Sequence, residues 1–334
     1  MYSRFAIAAA VALTTIFSAA TPSFAADTKV RIGMSVGINM MPTLVAIDQG
    51  YFKDAGIDFE QKPLTRGSVA IEALSAGSLE FAESAHAAFI AANSKGIPLV
   101  GVAVASRGFY GKMVGSNANA SLKNLEDLKG KRIGIQVGTG VHTVFLMLLE
   151  EAGLKESDFQ IKNVRVNDMP AAMASSAGQF DAVMGWDPHM TRIVQGGYGK
   201  EVISARRFEE MAHITYPFIL STTEDVLKKN PEMVQKVVNV YAKAHKFIRE
   251  NKDKALDVYM NYLKERGTKM DEKVVRVMVF EVDRFGGVAF TDADWQDIPR
   301  TVKFMHKIGR IKAAPDSDKI IDKSFGVKAE AALK

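Results

Sequence analysis

The residues of this 334-residue chain best equipped for chemistry are a few histidines and the glycine- and hydroxyl-bearing turns around them. His142 is the most suggestive. It follows Gly138, Thr139 and Gly140, where the apolar run KRIGIQV gives way to HTVFLMLLEEAG. A glycine turn that opens a helix presents free backbone N–H groups and the positive end of the helix dipole to an anion. The Thr139 hydroxyl adds a donor there, and His142 can donate to the same anion, ligate a metal or cap the turn. A plain strand-to-helix turn accounts for the same residues. The loop has neither the G-x-x-x-x-G-K-[ST] phosphate pattern nor G-x-G-x-x-G spacing, so a small anion suits it better than a nucleotide. His86, His142, His189, His213, His245 and His306 show no H-x-H or H-E-x-x-H spacing, and neither a metal nor another cofactor is expected. There is no G-x-S-x-G or S-x-x-K, and Ser84 near His86 is proximity rather than a triad. Binding without reaction is the expectation.

Three more turns offer small or hydroxyl residues ahead of a helix: Gly37 to Met41, Thr65 to Ser68, and Ser84 to His86. Met40 and Met41 can supply an adaptable apolar wall. Thr65 and Ser84 carry hydroxyls, and His86 either faces His142 across a cleft or caps its own helix. In MGWDPHM, Trp186 suits a pocket wall, whereas Asp187 can cap the helix after Pro188 or meet a ligand amino group. Phe109, Tyr110 and Tyr216 fall at expected crossings between two lobes, where they line the cleft or pack in the core.

The elements that must position these residues follow a regular order. KVRIGMSV, IDFEQKPL, LEFAES and IPLVGVAVAS read as strands, separated by the helices MPTLVAIDQGYFKDAG, GSVAIEALSAGS and AHAAFIAANSKG. After GFYGKMVGSNANASLKNLEDLKG a second series begins, with KRIGIQV, FQIKNVRV, FDAVMGW and KEVISA as strands and helices between them. HITYPFILSTTE reads as an extended return, followed by charged amphipathic helices. This predicts an α/β chain of two lobes with mainly parallel sheets, 26–111 plus 217–334 and 112–216, joined by two hinge crossings near Phe109 to Met113 and His213 to Leu220. In such sheets, ligands gather where strand ends meet helix starts.

Composition sets the compartment and excludes several classes. Arg4, the apolar stretch FAIAAAVALTTIF and the small-x-small triplet Ser23-Phe24-Ala25 read as a cleavable export signal over residues 1–25, leaving about 309 residues. With no cysteine there is no disulfide, thiolate metal site or lipoprotein anchor, and the Gram-negative periplasm fits best. The 43 basic and 38 acidic residues give a net charge of +5, scattered along helices, so no nucleic-acid partner is expected.

The stretch SVGINMMPTLVAIDQGYFKDAGIDFEQKPLTRGSVAIEALSAGSLEFAES, together with LKNLEDLKGKRIGIQVGTGVHTVFLMLLEEAGL and GQFDAVMGWDPHM, resembles periplasmic solute-binding proteins of ABC importers. The branch is the one that contains aliphatic sulfonate, taurine, nitrate and thiamine-pyrimidine-precursor binders. The resemblance spans nearly the whole mature chain. It implies a type II-like clamshell acting as a monomer, which hands a small-molecule ligand to a membrane permease with a cytoplasmic ATPase. By position, the turns at Gly37 to Met41, Ser84 to His86 and Gly138 to His142, with Trp186 and Asp187, would form the pocket. Sulfonate binders tend to carry serines where this chain has Gly138-Thr139-Gly140. That departure, the methionines and the nearby aromatics suit a larger or aromatic organic anion, with a pyrimidine precursor as the alternative. Related pyrimidine-precursor synthases carry a cysteine-rich metal motif, which this chain cannot supply.

Overall fold

The computed structural model describes residues 28–119, 121–175, 178–280 and 284–334, so the expected export signal lies outside the described residues. Its strands are β1 Thr28–Ser35, β2 Ile57–Leu64, β3 Phe81–Ala85, β4 Leu99–Ser106, β5 Gly111–Ser116, β6 Arg132–Ile135, β7 Gln160–Asn163, β8 Ala182–Trp186, β9 Gly199–Ile203 and β10 Phe218–Thr223. They form two five-stranded sheets, ordered β2-β1-β3-β10-β4 and β7-β6-β8-β5-β9. Pairing is parallel for β1 with β2 and β3, and for β6 with β7 and β8. Each sheet also contains one antiparallel strand, β10 in the first and β5 in the second, and each of these directly follows a crossing of the chain between sheets. Parallel strands need helical crossovers, and this accounts for the alternating order read from the sequence.

β5 and the helix Ala205–Ala212 are among the elements not read from the sequence. β5 is a short run with glycines at Gly111 and Gly115, and it carries little periodic signal; pairing with both β8 and β9 buries it. The helix Ala205–Ala212 starts at Ser204, whose hydroxyl accepts from the Arg207 N–H at 3.1 Å. Its buried Phe208 packs edge-on against Phe109 at 5.3 Å, bracing the first crossing.

The long C-terminal segment returns to the first sheet. Helix Pro231–Glu250 is capped by the Asn230 side chain, which accepts from Met233 N–H, and carries proline at its first position, where no intrahelical N–H is needed. Its buried Val234, Val237, Val238, Tyr241 and Ile248 recur at helical spacing, each worth about 1.5–3 kcal/mol of apolar burial. Its Tyr241 hydroxyl meets Thr43 at 2.8 Å in helix Met41–Asp48 and donates to the buried Glu83 carboxylate. Burial pushes Glu83 up to about 7.

The two crossings are fixed to each other and to this C-terminal segment. Gly108 N–H donates to Thr215 O at 2.9 Å. Arg284, buried, donates to the carbonyls of Gly108 and Phe109 at 2.9 and 3.0 Å, and Asp297 accepts from the N–H groups of Thr215 and Tyr216, each at 3.0 Å. Tyr216 has φ +49°, a costly conformation for a bulky residue. The Asp297 bonds and edge-on packing against His86 and Phe109 hold it there. Among the described residues, no helix is long and apolar enough to cross a membrane.

Candidate ligand-binding site

Three helices start at one point between the sheets. Helix Gly67–Ser75 follows β2, helix His86–Asn93 follows β3 and helix Gly140–Glu151 follows β6. Residues at their starts line a narrow cavity of about 40 Å³, in which Arg66, Gly67 and Ala85 from the first sheet face Gly138, Thr139 and Gly140 from the second. Tyr110, Trp186, Tyr216 and Phe218 wall it. Tyr110 stands tilted over Phe218 at 5.0 Å and edge-on to Trp186 at 6.5 Å. Burial pushes the Tyr110 and Tyr216 phenols up, so both remain neutral hydroxyls at physiological pH.

Gly138 has φ +84°, a conformation open to glycine and strained for other residues. Thr139 caps the helix: its Oγ1 accepts from His142 N–H at 3.3 Å and donates to Gln136 O at 2.8 Å. The hydroxyl is therefore engaged within the turn. The N–H groups of Gly140 and Val141, in the first helical turn, have no carbonyl inside the helix and are the donors a cavity anion would meet. A Cβ at Gly140 would come within 2.1 Å of the Tyr216 hydroxyl and 3.3 Å of the Ala85 Cβ, so glycine is what lets the two sides approach.

Tyr110, Gly138, Thr139, Gly140, Trp186 and Tyr216, all singled out in the sequence, meet at this cavity. Thr65 lines an adjoining vestibule that shares Trp186. The other candidates do not line the cavity. Met40 and Met41 are fully buried, because a tight turn over Ile38–Met40 leads straight into helix Met41–Asp48 and carries both into the first core. There Met40 accepts from the Tyr262 hydroxyl at 3.5 Å.

Ser84 lies buried beneath the start of the Gly67 helix, where a Cβ on Gly67 would meet it at 2.8 Å; strand alternation brings Ala85 to the cavity in its place. His86 is buried, with Nε2 3.0 Å from Thr301 Oγ1 and 4.0 Å from Asp297, and burial holds the ring below its ordinary range. It does not face His142. The Asp187 carboxylate is also spent, accepting from Thr191 N–H and Oγ1 at 2.8 Å each and pairing with Lys112 at 2.9 Å. Both of its oxygens are thus already engaged within the protein.

His142 is buried behind the turn. Arg310, from the C-terminal segment, donates to Nδ1, as does Gly138 N–H at 3.3 Å, so the ring proton sits on Nε2 and donates to Glu156 at 3.1 Å. Burial, with the Arg310 charge beside it, holds the ring below its ordinary range. The ring steadies the turn. Arg66 was missed as a site residue: its backbone precedes the Gly67 helix without a side-chain cap, and it is the one charged residue in the Thr65 to Ser68 turn. That charge beside a small-residue helix start was the available signal.

Comparison with known proteins agrees with the two-sheet fold. The chain is 28% identical over 226 residues to a putative binding protein of Brucella abortus, covering 66% of this chain and 67% of that one. It is 23% identical over 305 residues to a putative aliphatic sulfonates-binding protein of Bacillus subtilis, covering 90% and 88%. A 4-amino-5-hydroxymethyl-2-methylpyrimidine phosphate synthase of Saccharomyces cerevisiae is 25% identical over 234 residues, covering 66% and 67%. The crystal structure of the periplasmic aliphatic sulphonate binding protein SsuA from Escherichia coli matches with a TM-score of 0.73 at 19% identity, over 88% of this chain and 97% of that one. The fold is that of two-lobed periplasmic binding proteins. Residues 37–255 match the family model described as NMT1/THI5 like, and the chain belongs to the NMT1/THI5-like family.

Proposed function

We propose that this protein is the exported solute receptor of an ABC importer and captures a small organic anion, a sulfonate or carboxylate, between its two lobes without transforming it. One observation carries the reading. Three helix starts, with Arg66 at one of them, meet at a single cavity walled by aromatic rings and neutral hydroxyls. Helix starts favour negative charge, each by about 0.3–1 kcal/mol at exposed sites and up to about 2 kcal/mol where partly buried. An arginine adds a fork of donors matched to planar or trigonal oxyanions. A cationic solute would be repelled here, and a neutral one would gain the hydrogen bonds without the charge term.

Residues 26–111 with 217–334 form one lobe and residues 112–216 the other, moving about the crossings at 107–110 and 213–217. A ligand that touches both lobes shifts the balance toward closure because it bonds the closed state better. The sulfonate-binding names of relatives support the ligand class, and the export signal expected over residues 1–25, together with the periplasmic setting named for the structural neighbour SsuA, supports delivery to a permease with a cytoplasmic ATPase. The synthase relative keeps a pyrimidine precursor as a second ligand class.

The test is a thermal-unfolding titration of residues 26–334 with sulfonates, carboxylates and aminopyrimidines. Saturation at about 100 times the dissociation constant adds about 2.7 kcal/mol of stability. A shift with anions and none with neutral pyrimidines is expected. Stabilisation by pyrimidines alone would overturn the reading, as would chemical change of the bound solute.

A further inference from the structure

The anion cavity does not stand alone. At about 40 Å³ it has room for the few heavy atoms of a sulfonate or carboxylate head and not for a ring, since a single buried water needs about 10–15 Å³ on that measure. On the other side of Trp186 lies a vestibule of about 320 Å³, a size usual for the body of a small organic ligand. Val36, Pro63, Leu64 and Val69 supply its apolar wall from the first lobe, and Trp186 closes it from the second. Val36 is 37% exposed, so its side chain presents open apolar surface beside the vestibule. The segment from Pro63 to Val69 runs from the vestibule past Arg66 and Gly67 into the anion cavity, so the two spaces share a wall as well as Trp186.

The vestibule also carries a polar group of a definite kind. Thr65, Asn167 and His189 line it, drawn from both lobes, and the buried Nδ1 of His189 has no hydrogen-bond partner among the described residues. Burial, reinforced by Arg192, pulls the His189 ring down to about 4, so it is neutral at physiological pH. A hydroxyl, an amide and a neutral imidazole recognise an uncharged hydrogen-bonding group; a second anion or a cation would find no countercharge among these three.

We infer that the ligand is an amphiphilic monoanion with an aryl or similarly bulky apolar body, whose charged head sits at the three helix starts. Its body rests against Trp186 and Val36, and a neutral hydroxyl or carbonyl at its far end bonds His189, with Asn167 beside it. This rests on the anion-capture reading above and narrows it, because short alkyl anions would leave the vestibule wall and the His189 ring uncovered.

Calorimetric titration of residues 26–334 with ethanesulfonate, benzenesulfonate and 4-hydroxybenzenesulfonate, and with the matching carboxylates, tests it. Benzenesulfonate should bind at least about 10-fold tighter than ethanesulfonate, in line with the apolar area it covers. The 4-hydroxyl should add a further factor of about 3–10, the usual net yield of one hydrogen bond. His189→Ala and, separately, Asn167→Ala each replace a polar side chain at a partly or fully exposed position, and circular dichroism checks that the fold is kept. His189→Ala should bring the ratio between 4-hydroxybenzenesulfonate and benzenesulfonate affinities to about 1. Equal affinity for ethyl and aryl anions would overturn the inference while leaving anion capture intact, and so would a hydroxyl gain unchanged in both variants. Binding of no anion of either length would overturn both.

Discussion

The two turns that face each other across the cleft, Ser84 to His86 and Gly138 to His142, each place a histidine at a helix start and bury it. Their partners differ. His86 bonds Thr301 and packs on Tyr216, so everything it touches belongs to the first lobe or its crossing. His142 is bonded from behind by Arg310, which the C-terminal segment brings over from the first lobe, and by Glu156 of its own lobe. Lys307 pairs with Glu150 at 2.8 Å beside it. One histidine therefore consolidates a lobe and the other joins two. The same residue type at the same kind of position separates fold stability from the open–closed balance, because what decides is the element behind the helix.

The largest effect expected from this contrast is on stability. His86→Ala should lower unfolding free energy by about 3 kcal/mol, through a cavity and the lost Thr301 bond, with ligand affinity at low temperature nearly unchanged; parallel affinity loss would break the distinction. Next is Gly140→Val, which drives a side chain into the Tyr216 hydroxyl where the lobes approach. Overpacking of this kind costs about 1–3 kcal/mol, here read as a roughly 10- to 100-fold weaker affinity with little change in melting without ligand. A variant that binds normally would show that the lobes need not come this close.

Arg310→Met should cost less, about 1 kcal/mol of closure, because Glu156 and Arg310 are partly solvated. It should also change the pH response. Both buried rings have folded pKa values below the ordinary 6.5, so the stability they lend is complete above that value and is lost as pH falls through the lower folded pKa. For His142 this acid sensitivity enters ligand affinity, since opening separates the ring from Arg310. Affinity should fall between pH 7 and pH 5 in the wild type and fall less in Arg310→Met; identical profiles would remove Arg310 from the closure. The smallest effect belongs to Thr139→Ala, which removes a helix cap worth about 0.5–1 kcal/mol and should weaken binding only a few-fold, since the hydroxyl already serves Gln136.

Much of the fold was legible. The spans of β1, β2 and β4 and of the helices after β1 and β2 follow from apolar runs and glycine stops, signals that depend on neighbours in the chain. β5 was not legible, because its burial comes from β8 and β9 on either side. The cavity turns at Gly138 to Gly140 and the aromatics at Tyr110, Trp186 and Tyr216 could be found, since small residues at strand ends and large rings at crossings leave a local mark. Met40, Ser84, His86 and Asp187 have the right types and neighbours for a site, yet the rotation of a short helical turn or the alternation of a strand turns them inward.

The sequence by itself determined the order of strands and helices, the absence of cysteine chemistry and the placing of anion-seeking helix starts at strand ends. Backbone propensity and hydrophobic period act over a few residues, so these can be read from the chain. Only the tertiary structure decided which of those starts meet, that Arg66 stands with them, and that Arg310 reaches His142 across 168 positions of sequence. Those contacts join segments far apart in the chain, and only their packing gives them a common address.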